Sequence, residues 1–105
     1  MFVAGWGIWP SSENWHLYYR LRQSYGDYRL LDDAPGHLFL NYEGQDLVSL
    51  LQVGIIGGWD IHLVPSRGYG RAFVSHDEWL ELVMADPAEL KKIDVDLTKA
   101  GVKKI

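Results

Sequence analysis

Four groups of residues in this chain have types and spacings that could do chemistry. The first is Asp60 with His62. Residues i and i+2 on a strand share a face, so a carboxylate and an imidazole would be neighbours there. A carboxylate can orient an imidazole for acid–base work, or the two can ligate a metal together. His37 and His76 fall on or beside other expected strands and could add ligands. A zinc site needs three or four convergent ligands, and spacing alone brings only two together here. The plainer reading is a polar sheet face. Asp60, His62 and His37 therefore define one functional alternative, a small metal-dependent or acid–base hydrolase.

The second group is Ser75-His76-Asp77-Glu78. Consecutive residues at a helix start point about 100° apart, so Ser, His and Asp here cannot form a triad among themselves. No Gly-x-Ser-x-Gly elbow is present either. The pattern reads as a capping box, with Ser75 at the N-cap and Glu78 at N3 of a helix carrying Trp79, Leu80, Leu82 and Val83. The third group is Asp32-Asp33, with Glu43 and Asp46 further on. Paired carboxylates can hold a cation or act as acid and base. Their spacing is not that of an EF-hand loop, and a solvated loop followed by helix-start acids accounts for them.

The fourth group is aromatic. Five Trp, six Tyr and three Phe are many for 105 residues. Trp6, Trp9, Trp15, Tyr19, Arg20 and Arg22 crowd together, and Tyr69 stands between Arg67 and Arg71. A small core cannot easily bury so many indole N–H and phenol O–H groups with partners. Trp, Tyr and Arg are also the residues that most often anchor protein interfaces. On a helix, Trp15, Tyr19 and Arg22 share a stripe, either a core edge or an exposed patch. The expected binding residues are Trp9, Trp15, Tyr19, Arg22 and Tyr69. Glycine supplies no phosphate signature: Gly54-x-x-Gly57-Gly58 lies in and after an apolar helix rather than between a strand and a helix. No cofactor is expected, and no metal beyond the hydrolase alternative.

These residues must be positioned by a small set of elements. Phe2 to Trp9 reads as a strand weakened by Gly5 and Gly7. Helix one follows Pro10-Ser11-Ser12-Glu13 and runs to about Tyr25, with Gly26 as its terminating glycine. His37 to Asn41 reads as a short strand. Helix two opens at Glu43-Gly44-Gln45-Asp46 and is apolar on almost every side, so it is expected to be the most buried. Gly54 inside it costs about 1 kcal/mol relative to Ala, which implies a close packing contact. Trp59 to Pro65 alternates as a strand, a two-glycine turn follows, and Arg71 to Ser75 returns. Asp86-Pro87 starts a last short helix, with Asp as cap and Pro at N1.

The expected fold is α+β and two-layered. It has a small mixed sheet of three or four strands, in sequence order β-α-β-α-β-β-α, with a C-terminal hairpin and helices packed on the sheet. Residues 1–90 are expected to form a single globular domain, and 91–105 a loosely docked charged tail.

Composition limits the function. At 48% hydrophobic and 23% charged the chain is globular rather than disordered. The lack of cysteine excludes disulfides, thiol chemistry and Cys-ligated zinc. Net charge is −4. Residues 1–87 hold 5 basic and 11 acidic groups, and 88–105 hold 5 and 3. An acidic chain is a poor match for phosphate backbones, so nucleic acid is not the expected partner. No apolar run reaches the roughly 20 residues of a membrane span. Met1 to Pro10 lacks the basic start and cleavage site of a secretory leader. These features lead to a cytoplasmic protein without catalytic activity. It is expected to bind a protein partner, either itself as a homodimer or a basic target in the manner of an inhibitor or immunity protein.

Overall fold

The computed structural model describes residues 1–5 and 11–104. Strands β1 (Phe2–Gly5), β2 (Asp60–Leu63), β3 (Gly70–Val74) and β4 (Leu80–Met84) form one sheet in the order β1-β2-β3-β4. Helix α1 (Ser11–Ser24) and helix α2 (Gly44–Ile56) lie in sequence between β1 and β2, and α3 (Pro87–Lys99) follows β4. The class is α+β with four strands, as expected. All three ladders are antiparallel, so the sheet is not mixed.

The sequence order is also different: β-α-α-β-β-β-α. Two segments account for it. His37 to Asn41 does not form a strand. Only a bridge between Phe2 and Gly36 and the paired backbone bonds of Met1 and His37 join it to β1. Beyond that point the Glu43 carboxylate accepts the Leu40 N–H at 2.9 Å, and the chain turns into a 3-10 turn at Asn41–Glu43.

The second segment is Ser75 to Met84. Ser75 and Glu78 do not cap a helix; they close a β-hairpin. The Ser75 carbonyl accepts from Glu78 N at 3.1 Å, and Ser75 N donates to the Trp79 carbonyl at 2.9 Å. The Ser75 hydroxyl does accept a backbone N–H, but from Asp77 two residues on, as in a Ser turn. Leu80, Leu82 and Met84 then alternate with Glu81 and Val83 along β4. Five pairings to β3 outweigh the local helix signal. Glu78 sits at φ +66°, the left-handed position that a three-residue hairpin loop usually gives to glycine. Glu78→Gly is accordingly expected to raise stability by about 0.5–1 kcal/mol, read as a higher urea midpoint. A lower midpoint would show that the Glu78 side chain contributes more than its backbone conformation costs.

α1 and α2 end alike. Gly26 at φ +80° and Gly58 at φ +71° occupy the left-handed position after each helix. Asp27 N then reaches back to the Arg22 carbonyl at 3.1 Å, and Trp59 N to the Gly54 carbonyl at 2.9 Å. This is the Schellman arrangement, and it satisfies carbonyls the helix would leave open. It also delivers the next residue, Asp27 or Trp59, back against its own helix.

The core contains Met1, Tyr18, Leu31, Leu50, Trp59 and Ile61. Val3, Ile61 and Val74 lie on one face of the sheet by register, and Phe2, His62, Phe73 and Glu81 on the other. Gly54 packs where expected: a Cβ there would run into the Ile61 side chain. α2 is not buried on every side, because the sheet covers only the side carrying Leu50 and Gly54; Val48, Ile55 and Ile56 are exposed. α3 is capped as expected, with the Asp86 carboxylate accepting from Ala88 N at 2.9 Å and Pro87 at its start. Residues 91–99 of the charged C-terminal segment are helical, with Ile93 and Leu97 half-buried.

Candidate functional site

The densest polar cluster forms where α1 ends. The turn after Gly26 brings the Asp27 carboxylate to Arg22, whose side chain is fully buried, with Arg22 Nη2 to Asp27 Oδ2 at 2.9 Å. Arg22 Nη1 donates to the Ala34 carbonyl at 2.5 Å. Arg29 grips the same carboxylate through Nε and Nη2, both at 2.9 Å. His37 Nδ1 lies 3.1 Å from Asp27 Oδ2. The Arg29 hydrogen bonds, helped by those of His37 and Arg22, outweigh burial and hold the Asp27 carboxyl well below the usual carboxylate range. An open cleft of about 650 Å³ lies here, walled by Tyr25, Tyr28, Arg29, His37 and Leu38.

With the Asp27 carboxylate accepting from Nδ1–H, a neutral His37 ring would carry its lone pair on Nε2, the arrangement of a general base. Nε2 is buried and has no hydrogen-bond partner. The ring stands between Tyr25, at 5.6 Å, and Phe39, at 4.8 Å. A base must reach its proton directly or through one water, and this nitrogen is itself buried although the His37 ring borders the cleft. As folded, the cluster pins the end of α1 to the 34–37 segment. Burial and the neighbouring Asp46, in the first turn of α2, raise the Tyr25 phenol pKa.

His37, expected with Asp60 and His62, is separated from them in the fold. His37 is held by Asp27, while Asp60 is held by His76. Asp60 Oδ1 accepts both from His76 N and from His76 Nδ1, each at 2.8 Å. His62 shares the strand face with Asp60, but its ring packs on Phe73 at 4.6 Å. Among the described residues no three His, Asp or Glu side chains converge on a point that could hold a metal. Burial raises the Asp60 pKa, and the two His76 hydrogen bonds more than reverse this, so the net shift is downward. The Asp60 hydrogen bond raises the His76 pKa.

Charge on His76 therefore favours the folded hairpin below its unfolded value near 6.5, and the benefit is lost as pH rises through the higher folded value. A histidine NMR titration should show His76 with a raised midpoint that falls back in Asp60→Asn. A midpoint unmoved by that substitution would mean the contact does not persist in solution.

On the aromatic stripe of α1, Trp15 and Tyr19 are half-buried and Arg22 is buried. Trp15 and Tyr19 stack at 6.1 Å, half-buried against the core. Arg22, expected beside them in a binding patch, is 0% exposed, because its partner Asp27 lies inside the fold. Truncating Trp15 and Tyr19 would thus cut into packing and would not isolate association. Trp6 and Trp9 lie outside the described residues. Tyr69 is exposed at the β2–β3 hairpin tip, as expected. Asp32 and Asp33 are exposed in a turn, and Asp46 lies in the first turn of α2.

Asp27 is the functional-looking residue that sequence reasoning missed. Its signal was available in Arg22-x-x-x-Gly26-Asp27-x-Arg29, an acid placed just past a helix-ending glycine with arginines on both sides. Among the described residues no helix is long and apolar enough to cross a membrane. A scan against protein-family models, a search of curated proteins and a search of solved structures each return no match.

Proposed function

We propose that this chain is a small non-catalytic protein-binding protein of the cytoplasm. One observation carries the reading. The accessible surface is 7767 Å², whereas a compact monomer of 12.0 kDa exposes about 6,000 Å². Tyr28, Leu38, Tyr42, Ile55, Ile56 and Tyr69 are each more than half exposed. Exposed aromatic and aliphatic side chains of this kind are what protein interfaces enclose. The acidic balance and missing cysteines support a protein partner in a reducing compartment over nucleic acid.

The test is mass. Light scattering on a sizing column is applied to the pure protein over a dilution series, and cross-linking to the protein in an extract of its source. The expected result is a complex heavier than one chain in at least one of the two. A single-chain mass in both would overturn the reading.

A further inference from the structure

The two edges of the sheet are treated differently. The β1 edge is closed: Met1 and His37 exchange backbone hydrogen bonds at 2.9 Å, Phe2 bridges Gly36, and the β1–β2 register shifts between Val3 and Gly5. Among the described residues the β4 edge carries no such backbone bonds; α3 follows it directly and touches it. Leu80-Glu81-Leu82-Val83-Met84 holds no lysine, no proline and no register shift, the usual devices against edge pairing.

Its free groups can be placed. The hairpin closes with Ser75 N donating to the Trp79 carbonyl. Bonded and non-bonded pairs alternate along an antiparallel ladder. Counted from that bond, Glu81 and Val83 bond to β3, whereas Leu80, Leu82 and Met84 turn their N–H and C=O groups away from it. No described residue takes those outward groups.

We infer that β4 pairs with β4 of a second copy of this chain, antiparallel about a two-fold axis at Leu82, to make one eight-stranded sheet. This rests on the protein-binding reading above and names its partner. The strand matches itself in this register. Leu82 faces Leu82 of the second copy, and Leu80 faces Met84. All three residues with outward groups then fall in bonded pairs, giving about six new hydrogen bonds across the seam. Glu81 falls opposite Val83, so no like charges meet, and it keeps its bond to Arg71 at 3.2 Å. Leu80, Leu82 and Met84 lie on the sheet face that carries Ile61, and Leu80 is exposed there, so pairing lengthens the core. A two-fold contact of one surface with itself closes and does not propagate; strand addition of this kind is an established mode of recognition.

Two readouts test it together with native mass. The first is amide exchange in the wild-type protein. The Leu80, Leu82 and Met84 N–H groups should be slowed at least about 100-fold at concentrations where the mass is that of a dimer, and should lose this on dilution. The second is a single cysteine in a chain that has none. Leu82→Cys places two sulfurs on residues about 5.5 Å apart, within disulfide reach, and should oxidise to a covalent dimer. Tyr69→Cys, at the hairpin tip, should not. A dimer whose three outward amides exchange freely, or one cross-linked through Tyr69→Cys and not Leu82→Cys, would overturn the β4 seam and leave protein binding standing. A single-chain mass for the pure protein at millimolar concentration, with a complex in the extract, would overturn self-pairing alone.

Discussion

Asp27→Asn is expected to lower stability by about 3–5 kcal/mol, the usual cost of removing one partner of a buried ion pair. Arg22 is fully buried, and Asp27 is its only carboxylate partner among the described ion pairs. An asparagine keeps the shape but leaves the guanidinium charge inside the fold without a counter-charge. It also weakens the bonds to Arg29 and His37. For a domain of this size the melting temperature should fall by at least about 12 °C.

The effect has a pH signature. The folded-state pKa of Asp27 is depressed, because its hydrogen bonds favour the charged form. Its contribution is therefore complete above the unfolded value near 4 and declines as pH falls below it toward the folded value. Urea unfolding of wild type and variant should show a wide stability gap at pH 7 that narrows between about pH 4 and pH 2. A gap of constant width over that range would mean that shape, not charge, accounts for the loss.

Trp59→Ala is expected to cost about 3–5 kcal/mol, as for large aromatic residues truncated in cores. The indole is 1% exposed. The last turn of α2 closes over it: a Cβ on Gly57 would lie 2.8 Å from Nε1, and one on Gly54 would lie 3.1 Å from Cε3. Tyr18 meets it edge-on at 5.9 Å. α1 and α2 therefore share this one buried side chain. Denaturant unfolding followed by circular dichroism is the measurement, since four other tryptophans complicate fluorescence. A loss under about 1.5 kcal/mol would show that the core collapses onto the gap.

The Gly54 result illustrates how a local cost in the sequence pointed to a tertiary contact. A glycine inside a helix lowers its stability, and the contact that justifies it is Ile61 and Trp59. The helix ends at Gly26 and Gly58, the Asp86-Pro87 start of α3 and the β2–β3 hairpin were legible for similar reasons. Each depends on backbone conformations that only a few residue types favour, and the neighbours needed are near in the chain, the farthest being the innermost hairpin pair Leu63 and Ala72.

The errors share a different cause. Ser75-His76-Asp77-Glu78 satisfies the local rules for a helix start, and with Glu78 at the left-handed position it satisfies those for a hairpin turn poorly. The free edge of β3 decided between them by offering five pairings. Leu38, Leu40, Val48, Ile55 and Ile56 are apolar, but whether they are covered depends on what packs beside them. Arg22 is charged and reads as surface until the turn at Gly26 folds Asp27 back onto it. His37 joined Asp27, and His76 joined Asp60, through contacts spanning 10 and 16 residues that no spacing rule anticipates. The sequence by itself thus determined the α+β class, the helix ends and the close packing of Gly54, because these follow from short-range backbone sterics. Only the tertiary structure decided which histidine meets which carboxylate, which aromatics are buried and which strand edge is left open, because those depend on solvent exclusion between segments far apart in the chain.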